Sequence, residues 1–426
     1  MSTDDRVTQR SFNWAEGLLI LGLASCLIVW GGPTYWALAF AALGVLGCLQ
    51  DRTACALVFS QPLLRALVLT FTVHVVVSAA LFGVHGNRFN PEVLAPFVLF
   101  PWLAVAVWRA RLSATGFWWG VALGGLGAGA IASHQHFVQG IGRAHGFMNA
   151  IPFGGLSVVF ALAACIGASS ADLRRREHPA LLWALVAAAA AASYASLLSS
   201  SKGGWLSLAT VIALGAVRVL QSLRGPRRFG AAWTIAGALV IASYLAPSHV
   251  FDRVQSGWAG GVTWLQTGAI TEGSVSYRLE MWSLGLRLFQ EHPIVGADRA
   301  TWLAKKEAYI AAGEFSPRLR SQETMDSEWV GVLAGGGLVG LLASLMLILV
   351  PAWAFKRAAD QSRGMARDLA LLGMWMSVVY AEFGLSISLW GVSAFRQFYV
   401  SWLVLIAALI INTQDQEAQA QRADLT

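Results

Sequence analysis

The chain has 426 residues, of which 56% are hydrophobic and only 12% charged. That composition excludes a soluble globule, which would need far more polar surface to cover such a core, and it points to a bilayer. The formal net charge of +7 implies no nucleic-acid partner, because the basic residues cluster at the ends of apolar segments, where anionic headgroups attract them.

A helix needs about 20 apolar residues to cross the hydrocarbon. Twelve spans are expected, near residues 14–31, 34–50, 62–83, 91–108, 115–133, 148–170, 180–199, 204–220, 229–246, 329–355, 368–388 and 393–412. The first has no small-residue cleavage site and is followed at once by the second, which predicts a retained anchor. Arg6 and Arg10 precede the first span, and the even-numbered turns carry Arg52, Arg109, Arg111, Arg174, Arg175, Arg176, Arg218, Arg224, Arg227, Arg228, Lys356 and Arg357. Cytoplasmic loops retain Lys and Arg, so both termini are expected in the cytoplasm. The predicted fold is all-α, a polytopic membrane bundle of about twelve helices. Residues 1–246 hold the first nine spans, 247–328 a long periplasmic loop, and 329–426 the last three spans and a cytoplasmic tail.

Within the spans, the run Ala187 to Ala192 and the trio Gly120, Gly124 and Gly125 form small-residue faces that allow close helix approach. Cys26, Cys48, Cys55 and Cys165 make no CxxC pair and read as packing residues, with neither a disulfide framework nor a zinc site. In the loop, Ser274 to Phe289 has near-helical apolar spacing and is stopped by His292, Pro293 and Gly296, and a second helix is expected from Arg299 to Ala312. This amphipathic pair should lie over the bundle.

The outer side carries few cations in its short loops, namely Arg88, Arg143, Lys202 and Arg396. Topology does not need them there, so ligand binding competes with snorkelling to headgroups as their role. Asp326 either caps the helix that starts at Ser327 or Glu328 or is free for chemistry. His74 reads as a hydrogen-bonded helix contact. His134, His136 and His145 share an outer loop without carboxylates, so no metal site is expected.

Four ordered stretches carry a resemblance. They are Arg143-Ala144-His145-Gly146 leading to Asn149-Ala150-Ile151-Pro152-Phe153-Gly154; Ser200-Ser201-Lys202-Gly203-Gly204; Ser276-Tyr277-Arg278 with Trp282 and Pro293-Ile294-Val295-Gly296; and Asp326-Ser327-Glu328-Trp329 with Gly337-Leu338-Val339-Gly340. Together they resemble the O-antigen ligase and Wzy-type polymerase superfamily of bacterial membrane glycan transferases. The resemblance implies a glycan donor on polyprenyl (undecaprenyl) diphosphate, an acceptor that is lipid A-core or a growing glycan, an inner-membrane location, and an active site on the periplasmic side. It implies catalytic roles for Asp326, Arg278 and Lys202, and substrate-binding roles for Arg143, Arg88, Glu328 and His145. No metal and no cofactor are implied. The chain departs from the pattern twice, with Lys202 where the family usually has Arg and Asp326 where its ligases usually place His.

Three function classes follow. A glycosyltransferase, as ligase or as polymerase, uses the outer cations and the loop. A transporter or lipid flippase should carry ionisable residues deep in the bundle, where His74 and Glu382 are almost the only ones. A non-catalytic scaffold leaves the outer motifs unused.

Overall fold

The computed structural model describes residues 14–86, 90–175, 178–222, 248–268 and 274–423. Every regular element among them is helical: α1 Trp14–Ser25, α2 Gly32–Gln50, α3 Arg52–Ser60, α4 Pro62–Val84, α5 Pro91–Leu99, α6 Leu103–Arg109, α7 Ala114–Ser133, α8 Ala150–Ala168, α9 Ala171–Arg175, α10 Pro179–Leu198, α11 Lys202–Ser222, α12 Ser248–Thr267, α13 Ser274–Glu291, α14 Arg299–Ala311, α15 Glu328–Gln361, α16 Gly364–Phe383 and α17 Ser393–Ala423. Short 3-10 turns at Phe100–Trp102 and Pro317–Ser321 and a π turn at His134–Val138 complete them. Starts are set by local chemistry. Proline, which needs no backbone donor, opens α4, α5 and α10, while Ser113, Asn149 and Asp298 cap α7, α8 and α14 by accepting from backbone N–H groups.

Among the described residues, seven stretches are long and apolar enough to cross a membrane: α2, α4, α5 through α6, α8, α10, α15 and the first part of α17. Helices also occupy the other expected spans, except for the one near 229–246, which lies outside the described residues. α1 is shorter than expected and stops at Ser25, and α3 and α12 form helices where none was foreseen. One reading is corrected. Cys48 and Cys55 are joined by a disulfide with a Cα–Cα separation of 5.1 Å, because the chain turns sharply at Asp51, which caps α3 through Ala54 N, and so folds the end of α2 against the start of α3.

The small-residue faces do what their spacing suggests. A Cβ on Gly120 would press on Leu23, on Gly124 on Phe160, and on Gly129 on Ala191, so α7 nests between α1, α8 and α10. Helix ends gather at two rims. At the basic rim Arg109 donates to Gly47 O (2.6 Å), Asn412 to Val107 O (3.0 Å), and Arg218 pairs with Asp368 (2.8 Å). The opposite rim carries the loop helices α12 to α14.

At that second rim, α15 is broken. Gly337 has φ 58 and ψ −153, a conformation open essentially to glycine alone. The loop segment Pro293–Gly296 enters the break, where Leu338 N and Val339 N donate to Pro293 O (2.9 Å) and Ile294 O (3.1 Å), and Ala297 N donates to Ala334 O (2.8 Å). Backbone groups that water cannot reach must be satisfied by protein, and the loop supplies those partners. Pro293 and Gly296, read from the sequence as a helix stop and as part of the third motif, are thus one half of an interlock with Gly335–Gly340.

Candidate functional site at the loop-bearing rim

α15 begins with a firmly held turn. Ser327 is its cap, accepting from Val330 N (3.4 Å) and donating to Gly384 O (3.1 Å), while Glu328 N also donates to Gly384 O (2.8 Å) and Trp329 Nε1 to Ala381 O (3.1 Å). Asp326 is therefore not the cap. Its backbone is left-handed, φ 45, which turns its carboxylate out of the helix and toward α13. There Oδ2 stands 3.9 Å from Arg278 Nε, and Oδ1 accepts from Thr324 Oγ1 at 3.0 Å. The Asp326 side chain is 41% exposed and Arg278 20%, so the carboxylate opens to solvent while the guanidinium sits deeper. Burial pulls Arg278 below its ordinary pKa, and the Asp326 charge beside it pushes back up. An arginine remains charged under such a pull. Arg278 Nε is buried and has no hydrogen-bond partner among the described residues.

Glu328 is buried and accepts from Trp390 N at 3.2 Å. Cavities lie on both sides of it. One of 280 Å³ separates α4 from α15, and one of 340 Å³ lies beneath the loop. His85, Glu328, Gly331, Val332 and Gly335 line both, so the two spaces share a wall.

Other expected site residues divide clearly. Arg143 is exposed at the same rim, where its Nε donates to Ser199 O at 3.3 Å. His145 contributes its backbone N–H to buried Gln135, whose amide also holds Gly146 N and Gly146 O. Lys202 opens α11, and its side chain, like all of Arg88, lies outside the described residues. The adjacent Gly203 abuts Ser386, which brings the start of α11 to the turn that anchors Glu328. Arg396 is buried and donates to Trp390 O and to Glu92 O (3.4 Å), so it binds helix ends rather than headgroups. Of the residues expected to be catalytic, Arg278 and Asp326 stand side by side.

Sequence reasoning missed Gln135 and Lys306. Lys306 is buried and donates to Leu319 O, Arg320 O and Gln322 O (3.3, 3.1 and 2.7 Å), holding the strap that leads into Asp326. Neither stands in a periodic pattern, and only their burial reveals them. His134 and His136 make local contacts with Gln139 and Ile141 O. Among the described residues no group of three or more His, Cys, Asp or Glu is arranged to hold a metal ion.

Residues 187–345 match the model of a family described as O-antigen ligase. Over that segment the chain is similar to the O-antigen ligase superfamily. The ligase-family segment runs from the middle of α10 to just past the break in α15, and so contains Lys202, Arg278, Asp326, Glu328 and both halves of the interlock. Arg143 and His145 precede it. No curated protein matches the chain.

Proposed function

We propose that this protein is a membrane glycosyltransferase that moves a glycan from a polyprenyl diphosphate to a saccharide hydroxyl, joining O-antigen to lipid A-core in lipopolysaccharide synthesis. The observation that carries the reading is the Arg278–Asp326 pair at 3.9 Å, within the segment that matches the family. It sets a carboxylate beside a half-buried cation, the two groups that the transfer needs. The acceptor oxygen bonds to the anomeric carbon of the donor, the bond from that carbon to the diphosphate oxygen breaks, and the electron pair leaves on the diphosphate. The acceptor proton passes to Asp326. A positioned general base is worth about 10²–10⁴-fold, and a cation aimed at the departing oxygens about 10²–10³-fold.

Arg278, Lys202 and Arg143 supply the positive charge, so the reading needs no divalent metal and no nucleotide. Glu328, two residues on, is the reserve base, and Arg88 and His145 serve as further saccharide or phosphate contacts. The basic rim faces the cytoplasm of a bacterial inner membrane, and the loop-bearing rim faces the periplasm. Polymerisation of O-antigen or exopolysaccharide is the second reading, favoured by Asp326 standing where the family's ligases usually have His.

Deletion in the native host with gel analysis of lipopolysaccharide separates them. Loss of all long chains on lipid A-core marks the ligase, and capping by a single repeat marks the polymerase. An unchanged ladder rejects both.

A further inference from the structure

The cavity between α4 and α15 has a feature that packing does not explain. A Cβ on Gly331 or on Gly335 would meet nothing within 4 Å, and neither glycine has a positive φ. Glycine inside a helix costs about 1 kcal/mol relative to alanine, and here no neighbour and no turn requires it. The neighbouring Gly296 and Gly337 are different, since both are forced by the interlock. Gly331 and Gly335 thus keep open a smooth wall along α15.

The opposite wall carries polar groups with little to bind. His74 is 6% exposed, lines the cavity, and its Nδ1 has no hydrogen-bond partner among the described residues. His85 Nε2, at the mouth, is likewise without one. Eleven residues separate these histidines, about 16 Å along a helix axis, and Ser78 and Ser344 also face the space. Trp390 closes one side, its ring 6.4 Å from that of His74, with Glu328 at the shared wall.

We propose that this groove binds a saccharide, the hydroxyl-bearing end of the acceptor. A hydrocarbon chain would leave His74 Nδ1 and His85 Nε2 unsatisfied, and buried polar groups without partners are costly. Sugar hydroxyls satisfy them, and a bare glycine wall lets a ring approach the backbone closely. Glu328 then acts as a contact for the acceptor where the groove meets the space below the loop. This inference rests on the glycosyltransferase reading for the identity of the ligand, though the groove itself does not.

The test uses the full-length protein in living cells of the native host. Val332, which lines both cavities, is replaced by the photocrosslinker p-benzoylphenylalanine, with lipid-facing Leu349, 60% exposed, replaced likewise as the control. After illumination, adducts are probed for periodate-oxidisable carbohydrate. The expected result is a carbohydrate-bearing adduct from Val332 and not from Leu349, reduced about tenfold by His74→Phe, the loss of one hydrogen bond to the ligand. Gly331→Leu, which fills the groove, should reduce it at least as far. An adduct with lipid alone, or none, overturns the proposal, as does a carbohydrate adduct indifferent to both substitutions. Transfer measured in parallel keeps the two readings apart. Intact transfer with no carbohydrate adduct sinks the groove, whereas a carbohydrate adduct in a host whose glycans are unchanged by deletion sinks the transferase.

Discussion

Gly296 and Gly337 meet backbone to backbone: a Cβ on either would stand 2.7 Å from the amide nitrogen of the other. Both have positive φ, 71 and 58, so substitution brings backbone strain as well as a clash. Gly296→Ala or Gly337→Ala should destabilise the protein by about 2 to 5 kcal/mol. Gly331→Ala, facing open space, should stabilise by up to about 1 kcal/mol. Thermal unfolding in nanodiscs reads both, and equal behaviour of Gly331 and Gly337 would contradict the interlock.

Asp326 and Arg278 are held by different elements and neither supports the fold through a dense network. Asp326→Ala should reduce transfer by about 10²–10⁴-fold and Arg278→Ala by about 10²–10³-fold, with membrane insertion unchanged. Asp326→Asn is the sharper variant, because Asn tolerates the left-handed backbone while losing the basic oxygen. Transfer by Asp326→Asn at the parent rate would remove Asp326 as base.

Lys202 contributes charge rather than a planar fork. Lys202→Arg should keep most transfer, and Lys202→Ala should lose it, in assays of purified protein with EDTA present. Activity abolished by EDTA and restored by magnesium would contradict the metal-free reading.

The loop should be pH-sensitive through Glu280. Burial pushes its carboxyl above the usual range, and the Ser316 N–H, 2.6 Å away, pulls it only partly back. A folded-state value above the unfolded one means that Glu280 favours the folded loop at low pH, and that this contribution is lost as pH rises through the raised value. Glu280→Gln should flatten that loss. Hydrogen exchange of α13 and residues 313–317 across pH 4 to 8 checks it, and a parent loop equally protected throughout would be evidence against the effect.

Orientation is testable by thiol labelling. Ala300→Cys should react in intact spheroplasts, and Ala171→Cys only after permeabilisation, because the basic residues gather at the rim near α9. Protection of residue 300 would invert the topology.

The helices and the basic rim were legible because apolar length and Arg placement are local properties that a bilayer reads directly. The four motifs were legible as residues but not as geometry. That Arg278 meets Asp326 depends on the strap tied by Lys306, and a lone lysine in a polar loop carries no visible sign of burial. The capping alternative for Asp326 was undecidable from sequence, since Asp and Ser are both good caps and only the register at Ser327 separates them. Cys48 and Cys55 looked like packing residues because their pairing is made by a corner at Asp51 rather than by a spacing rule.

The interlock also governs what can be exchanged between relatives. Since the break in α15 is sealed by Pro293–Gly296, the loop and the first half of that helix are not separate modules. A chimera that imports a foreign loop without residues 335–340, or those residues without the loop, strands amides of a broken helix at membrane depth. Grafts intended to alter acceptor choice should therefore be cut at Ser248 and beyond Gly340, so that lock and key arrive from the same parent.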